Sequence, residues 1–467
     1  MRGVLSVLLV SWLPLASAQT PAPGQPPSEP QLSPQAAYDR ATRPLEITRR
    51  SPQNWSDVEL AALKVARENA KTECAARNPD QLNGEDLLAL AHLCAFAFEW
   101  QAVHQAASNY INAAQSATSA GNSQGSTELA TAFDYKVQAS LNLNDPEDAV
   151  HTVQTMLRTA PYDLFASEAT NSTIEFIRFI RTDESLVLLA QRQPILLARI
   201  KTQASPAQGS NGAAVAALPN THPPLPLYAL YADAMALPST QQFANQSQAA
   251  DESYAELESA LPGSLSSEDA MYIGEKRRQY LLLGTHLPTL DPMGFLAFPG
   301  AAAPDKLNTW FANATVFLLF PDWCNQCVVM GSNATSKTKE LADAYHVRFY
   351  PLIAQAHPLE KQVESPAKNV PLSTKPGKAA QGKSERLHVD QQLAMKSSPD
   401  ALLEGTPTIV VPNETIDKFA ATDFPLIVAA DHNGIIRFIH RASDDTLAPG
   451  GDIDRIVQHI ISTWRPE

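Results

Sequence analysis

The spacing of apolar residues changes along the chain and divides it into helical and strand-forming regions. From Trp55 to near residue 200, apolar residues recur every three or four positions, which predicts a series of amphipathic helices. After Gly284, short apolar runs alternate with helical segments, which predicts an α/β domain. The predicted strands are Val316–Phe320, Val347–Ile353, Thr408–Val411, Leu426–Ala429 and Ile435–His440, followed by a final helix at Ile453–Trp464.

Capping and breaking residues set the predicted helix ends. A Ser56/Asp57 cap begins the first helix, and a second helix follows the turn at Asn83 and Gly84. Further breaks are predicted at Gly121-Asn122, Asp145-Pro146 and Pro161. A later helical pair is predicted at Thr240–Leu261 and Ser267–Leu283, within residues 227–284.

The first eighteen residues have the pattern of a secretory signal peptide. Arg2 precedes an apolar run, and Ala16-Ser17-Ala18 forms a small-residue cleavage site before Gln19. The alternative is an uncleaved anchor, although the run is short for a membrane span. No later stretch reaches about 20 apolar residues, so we expect no integral membrane segment after cleavage. The mature protein is expected to be exported, to the periplasm or the medium, where disulfides form.

Three polar stretches separate the predicted units. Residues 19–50 read as a flexible Pro-rich tether and residues 203–226 as a linker, because both lack apolar periodicity. A polar insertion at 356–400 contains a cluster of basic residues, Lys368, Lys375, Lys378, Lys383 and Arg386. The insertion is either a solvated loop or a docking site for an acidic partner.

Composition and charge limit the function. The 467 residues are enough for about three domains, and 44% apolar with 18% charged residues is typical of a globular protein. With 35 Lys+Arg against 49 Asp+Glu, the net charge of -14 repels phosphate backbones. We therefore expect no nucleic-acid partner.

Two helical segments resemble each other within residues 51–202. Residues 101–111 align with residues 148–157 through a shared Ala-Val-His, and both resemble the second helix of a tetratricopeptide repeat. The offset of 47 residues, against about 34 for that repeat, places an insertion near 117–127. The alternative is a generic helical bundle.

Two cysteine pairs carry the candidate chemistry. Cys324 and Cys327 follow an apolar strand and Trp323, and they begin a predicted helix, whose N-terminus favours a thiolate. The Cys324 thiolate would attack a partner's disulfide and form a mixed disulfide, which Cys327 would then resolve. Cys74 and Cys94 lie on successive predicted helices, where they form either a structural disulfide or two separate buried thiols.

The strand-Trp-Cys-x-x-Cys-helix, together with Phe424-Pro425 before a hairpin turning at His432-Asn433-Gly434, resembles the thioredoxin superfamily, specifically its exported TlpA/ResA-like branch. The resemblance covers about Leu287 to Trp464. It implies a cis Pro425 beside the cysteines, with Trp323, Phe424 and Pro425 binding the substrate. The alternative is an ordinary proline at a strand start.

The sequence departs from the family pattern near the cysteines. Asn325-Gln326 replaces the Gly-Pro of thioredoxin, and the two acidic positions used in the superfamily correspond to Leu318 and Met330. Three other interpretations remain open: a zinc site, which lacks a second ligand pair; a peroxiredoxin, whose characteristic Thr is absent; and an inert disulfide.

These observations predict a multidomain protein, with an all-α helical, repeat-like N-terminal region and a C-terminal α/β thioredoxin-like domain at 285–467. The expected activity is thiol-disulfide exchange with exported proteins that bear thiols or disulfides, with a separate electron donor or acceptor protein. No metal or cofactor is expected, because the lone histidines (His346, His357 and His440) lack ligand spacing. The alternatives are a binding or scaffold protein with static cysteines, and a thiol peroxidase.

Overall fold

The structure is a computed structural model. It describes residues 31–50, 56–119, 127–204, 225–290, 294–296, 312–324, 327, 334–355, 408–442, 446–447 and 451–464. The predicted signal peptide, the basic insertion at 356–400 and nearly all of the linker at 203–226 lie outside these residues. No helix among the described residues is long and apolar enough to cross a membrane.

The N-terminal part is helical, as the apolar spacing predicts. Its helices are α1 Pro34–Arg50, α2 Ser56–Ala75, α3 Glu85–Phe96, α4 Trp100–Ser119, α5 Thr127–Asn142, α6 Pro146–Thr159, α7 Leu164–Ile177, α8 Thr182–Ala204, α9 Leu227–Phe243, α10 Ser247–Ala260 and α11 Ser267–Leu282. The breaks predicted at Asp145-Pro146 and at Pro161 are confirmed. The break predicted at Gly121-Asn122 lies outside the described residues.

The prediction of a tether over 19–50 is wrong for its second half, which forms α1. The hydroxyl of Ser33 accepts a hydrogen bond from the Ala36 N–H at 3.3 Å and caps the helix. Ala37, Ala41 and Leu45 recur every four residues and are buried in this helix. The short apolar stripe is hidden in a polar sequence, and its packing on α2 and α3 stabilises the helix.

The predicted helical pair at 227–284 is three helices, α9 to α11. The single helix predicted over Thr240–Leu261 is interrupted at Asn245, whose φ of 59° is left-handed. These helices share one apolar core with the helices that precede the linker. That core includes Ile111, Phe133 and Leu196 from one side and Tyr231 and Ile273 from the other. The linker therefore joins two parts of one packed unit.

The C-terminal part is a mixed sheet flanked by helices. The described strands are β1 Gly294–Leu296, β2 Ala314–Pro321, β3 Val347–Gln355, β4 Thr408–Pro412, β5 Leu426–Asp431 and β6 Ile436–Arg441; the helices are α12 Ala334–Tyr345, α13 Glu414–Lys418 and α14 Asp452–Thr463. Their order in the sheet is β1-β4-β3-β2-β5-β6. β3 pairs parallel with β2 and β4, and the remaining pairs are antiparallel.

All five predicted strands, the hairpin turn and the final helix are confirmed, and each strand or helix end lies within two residues of its predicted position. Strand β1 was missed because its three residues carry no alternating pattern. The central strand β2 is buried along its whole length, which explains its continuous apolar run.

An apolar interface joins the helical part to the sheet. The rings of Phe179, Phe243 and Phe438 pack edge to face, with centroids 5.3 to 5.5 Å apart. His459 on α14 stacks on the Phe243 ring, and its Nε2 lies 2.7 Å from the Phe243 carbonyl oxygen. The amide of Gln279 donates to the Ala420 carbonyl at 2.8 Å. These contacts fix the helical part over one edge of the sheet.

Candidate active site

Cys324 and Cys327 form a disulfide directly after the central strand β2. The Cys324 N–H donates to the Pro321 carbonyl at 3.1 Å, which turns the chain out of the strand. Cys324 is half-buried, whereas the Cys327 side chain is only 1% exposed. Cys327 has helical backbone, but the rest of the predicted helix start, including Asn325, Gln326 and Met330, lies outside the described residues. Only one sulfur of the pair is open to a reactant.

The predicted substrate-binding residues lie beside this disulfide. The Trp323 side chain is 70% exposed, and its ring packs edge to face against Phe424 with centroids 6.0 Å apart. The Phe424–Pro425 peptide bond is cis, the geometry that the resemblance implies at this position. The Pro425 carbonyl accepts a hydrogen bond from the Ala442 N–H at 2.8 Å. The structure therefore brings Cys324, Cys327, Trp323, Phe424 and Pro425 together.

A cavity of about 540 Å³ opens over the two cysteines, between the sheet and the helical part. Four of its lining residues come from helices α7 and α11 or the residue after α7: Glu175, Arg178, Lys276 and Gln279. The same four residues, with Ile439 and His440, also line an adjoining cavity of about 240 Å³. The helical part thus forms a wall of the site.

The charges in this cavity shift each other's ionisation. The His440 Nε2 lies 3.8 Å from a carboxylate oxygen of Glu175. Burial between the two parts, reinforced by the neighbouring Arg178, lowers the pKa of His440 to about 4. The interaction with His440 lowers the pKa of Glu175. At neutral pH the cavity therefore holds a neutral imidazole and a charged carboxylate.

His440 shares a row of the sheet with Leu318, the position at which the resemblance implies an acid. Leu318 on β2 pairs with Ile427 on β5, which in turn pairs with His440 on β6. Two strand spacings separate Leu318 and His440, a distance of roughly 10 Å. Leu318 is apolar and fully buried, and it does not line the cysteine cavity. The titratable side chain of this row that lines the cavity is His440, at the end of the row on β6.

No sequence signal predicts the four helical residues of the cavity, Glu175, Arg178, Lys276 and Gln279, and His440 has the sequence context of a lone histidine. The helical residues are separated from Cys324 by 45 to 149 positions and belong to no motif. The Ala442 N–H bond to Pro425 does show that the end of β6 adjoins the proline loop. A sequence signal for the cavity is therefore a polar residue near the end of the strand that pairs with this loop. His440 and Arg441, the last two residues of β6, fit that description.

Cys74 and Cys94 form the predicted second disulfide, with their Cα atoms 5.3 Å apart. It links α2 to α3 across the turn, as two successive packed helices allow. Both cysteines are buried among apolar side chains, including Ala70, Leu87 and Leu90. The pair is closed to reactants and acts as a structural cross-link.

No group of three or more His, Cys, Asp and Glu side chains in the described part of the chain is arranged to hold a metal ion. Comparisons of the chain with protein-family models, with curated proteins and with solved structures find no match. The geometry of the site itself therefore carries the functional argument.

Proposed function

We propose that the protein is an exported thiol-disulfide oxidoreductase with Cys324 and Cys327 as its redox pair. The observation that carries the proposal is the disulfide at the end of β2, with one half-buried sulfur facing a cavity and the other covered. An accessible sulfur beside a protected one suits disulfide exchange, because a thiolate can attack the first and release the second.

One turnover in the oxidising direction consumes two substrate thiols. The first substrate thiolate attacks the Cys324 sulfur, the bond between the cysteines breaks, and the electron pair goes to Cys327. The second substrate thiolate then attacks the substrate sulfur of the mixed disulfide and releases Cys324. Two electrons and two protons pass to the protein, and a substrate disulfide forms. A separate exported thiol or disulfide protein restores the starting state.

The thioredoxin-like assignment is part of the proposal. Its support is the parallel β2-β3 pair, the antiparallel β5-β6 hairpin, and the position of Phe424-Pro425 next to the cysteines. The exported location rests on residues 1–18 and suits a protein with two disulfides.

The tetratricopeptide-like character of the helical part also remains a proposal. The two similar segments lie on α4 and α6, each the second helix of a contacting pair, α3–α4 and α5–α6. The His104 Nε2 lies 2.9 Å from an Asp148 carboxylate oxygen and links the two segments.

The test is a redox titration of the mature protein in dithiothreitol buffers, followed by alkylation and mass spectrometry. Cys324 and Cys327 should change state reversibly as a two-electron couple, while Cys74 and Cys94 stay protected in the folded protein. Cys324→Ser serves as the control. A pair that stays locked over the accessible range would contradict the proposal and favour a scaffold, and selective oxidation of Cys324 by peroxide would favour a thiol peroxidase.

A further inference from the structure

Two arginines face the cysteine cavity and, among the described residues, neither has a carboxylate at ion-pair distance. Arg178, directly after α7, and Arg441, at the end of β6, line the cavity together with Cys324. In the part of the chain that the structure describes, neither guanidinium has an acceptor at hydrogen-bond or ion-pair distance. Arg178 is enclosed between the helical part and the sheet, and this burial lowers its pKa. Glu175 and Asp452 act on this charge from a distance, but the buried Nε–H of Arg178 has no hydrogen-bond acceptor in that part of the chain, and a buried donor without an acceptor is costly.

Aromatic rings hold the Arg178 side chain in place. Its guanidinium carbon lies 4.6 Å from the centre of the Phe179 ring and 5.4 Å from that of Phe438. These contacts use the face of the guanidinium and none of its N–H donors. Its N–H edges form the fork that binds a carboxylate with two hydrogen bonds.

A second buried arginine of the helical part shows what a structural role looks like. Arg192 is fully buried, and its guanidinium donates to Asn171 Oδ1 at 2.6 Å and to the Asp233 carbonyl at 2.7 Å. These oxygens accept from its terminal N–H groups, although its Nε–H, like that of Arg178, has no acceptor within the described residues. Arg178 has no comparable arrangement, although it lies only one helix away.

Each of the three acidic groups in the cavity lies within 4 Å of a basic side chain other than Arg178 and Arg441. Glu175 lies against His440, and Asp423 pairs with Lys276 at 3.7 Å. Asp452 lies 3.8 Å from Arg455 on its own helix. The carboxylates of Glu175 and Asp452 act on Arg178 over longer distances, and that of Glu175 also acts on Arg441. Neither guanidinium, however, has a carboxylate at hydrogen-bond distance in the residues that the structure describes.

We propose that Arg178 and Arg441 form a carboxylate-binding subsite, and that the substrate is a thiol or disulfide with a carboxylate close to its sulfur. This inference rests on the proposed function and specifies its substrate class. The carboxylate is held by the two guanidinium groups while the substrate sulfur reacts with Cys324 by the exchange described above. The cavity of about 540 Å³ is of the size that proteins use for small ligands.

The first experiment compares two thiols that differ only in the carboxylate. Oxidised full-length protein is mixed with N-acetylcysteine or with N-acetylcysteamine, and the second-order rate of reduction of Cys324–Cys327 is measured. The expected preference for N-acetylcysteine is about tenfold, since a bidentate pair is among the stronger hydrogen-bonded contacts. Arg441→Gln should lower this preference severalfold, and Arg178→Gln should lower it further.

Controls separate this inference from the proposed function. Arg158→Gln, an exposed arginine on α6, should leave the preference unchanged. Uncharged dithiothreitol should reduce the wild type and Arg158→Gln equally fast. If dithiothreitol fails to reduce the wild-type pair, the proposed function fails; if it succeeds but the two thiols react equally, only the carboxylate subsite is refuted. If Arg178→Gln does not fold, Arg178→Lys and Arg441→Gln test the subsite in its place, because Lys keeps the charge at position 178 and Arg441 is exposed.

Binding without reaction gives a second readout. S-methylglutathione carries carboxylates but no free thiol, so calorimetry with the oxidised protein measures the subsite alone. Saturable binding that weakens about tenfold in Arg441→Gln supports the subsite; absence of binding to the wild type contradicts it. Rates with glutathione, and with the capped dipeptides acetyl-Glu-Cys-amide and acetyl-Gln-Cys-amide, then distinguish a small-molecule thiol from an acidic segment of a protein.

Discussion

The two disulfides have the same Cα–Cα distance, but one lies in an apolar core and the other faces a charged cavity. The Cα atoms are 5.3 Å apart in both, yet Cys74–Cys94 closes a sequence separation of 20 residues and Cys324–Cys327 one of 3. The first is enclosed by apolar side chains of the helices. The second faces a cavity lined by charged groups. Burial and neighbouring charge, rather than the bond itself, separate a structural cross-link from a candidate redox pair.

The helical part contributes differently to the two disulfides. Around Cys74–Cys94 it supplies a closed core and needs nothing from the sheet. Around Cys324–Cys327 it supplies one wall of a cavity whose other wall is the sheet, held together by the Phe179, Phe243 and Phe438 rings. The same helices thus protect one disulfide and create the environment of the other.

The largest expected effect comes from removing the accessible sulfur. Cys324→Ser should lower the rate of thiol-disulfide exchange by about 10³-fold or more, because no other accessible sulfur can form the mixed disulfide. The measurement is the rate of reduction of a model disulfide by the reduced protein. Cys327→Ser should instead trap the mixed disulfide, which mass spectrometry detects. An unchanged exchange rate in Cys324→Ser would contradict the assignment of Cys324–Cys327 as the redox pair.

Removal of the helical disulfide should affect stability rather than exchange. The double variant Cys74→Ala/Cys94→Ala should lose about 3 kcal/mol of unfolding free energy, because a loop of this length is no longer constrained in the unfolded chain. Urea unfolding at pH 7 measures the loss. The exchange rate at 25 °C should stay within a factor of two. A large fall in that rate would show that the two disulfides are functionally linked.

Acid should weaken the interface through His440. The pKa of His440 is lowered from 6.5 to about 4 in the folded protein, so the unfolded chain binds this proton more tightly. Folding stability should therefore fall as the pH drops from 6.5 to 4. His440→Gln should lose less stability over that range, as urea unfolding at pH 7 and pH 4.5 would show. Equal losses in both proteins would contradict this assignment.

The smallest expected effect concerns two surface ion pairs, one at each disulfide. Lys276 lies 3.7 Å from Asp423, next to the Phe424-Pro425 loop, and Lys71 lies 3.0 Å from Glu99 beside α3. Exposed pairs contribute little, so Lys276→Met should change the melting temperature by less than about 2 °C. Its exchange rate should change by about twofold, whereas Lys71→Met should leave that rate unaltered. Equal rate changes in both variants would show that the effect is not local to the cavity.

Elements with local sequence signals could be predicted without the structure. Apolar spacing predicted the helical region from Trp55 to about residue 200, the final helix and the five longer strands, and His432-Asn433-Gly434 predicted the hairpin turn between β5 and β6. The strand before Trp323 and the Cys-x-x-Cys spacing identified the candidate redox pair. The cysteines on two successive helices similarly predicted the Cys74–Cys94 link. In each case the pattern that predicts the feature lies in residues close together in the sequence.

The tertiary structure alone decided what surrounds those elements. α1 forms because a modest apolar stripe meets α2 and α3, and the break at Asn245 lies inside a periodic helical pattern. The cavity brings Arg178, Lys276 and His440 to Cys324 from distant positions that carry no motif. Packing free energy acts between surfaces and not along the chain, so the wall of the site could not be read from the order of its residues.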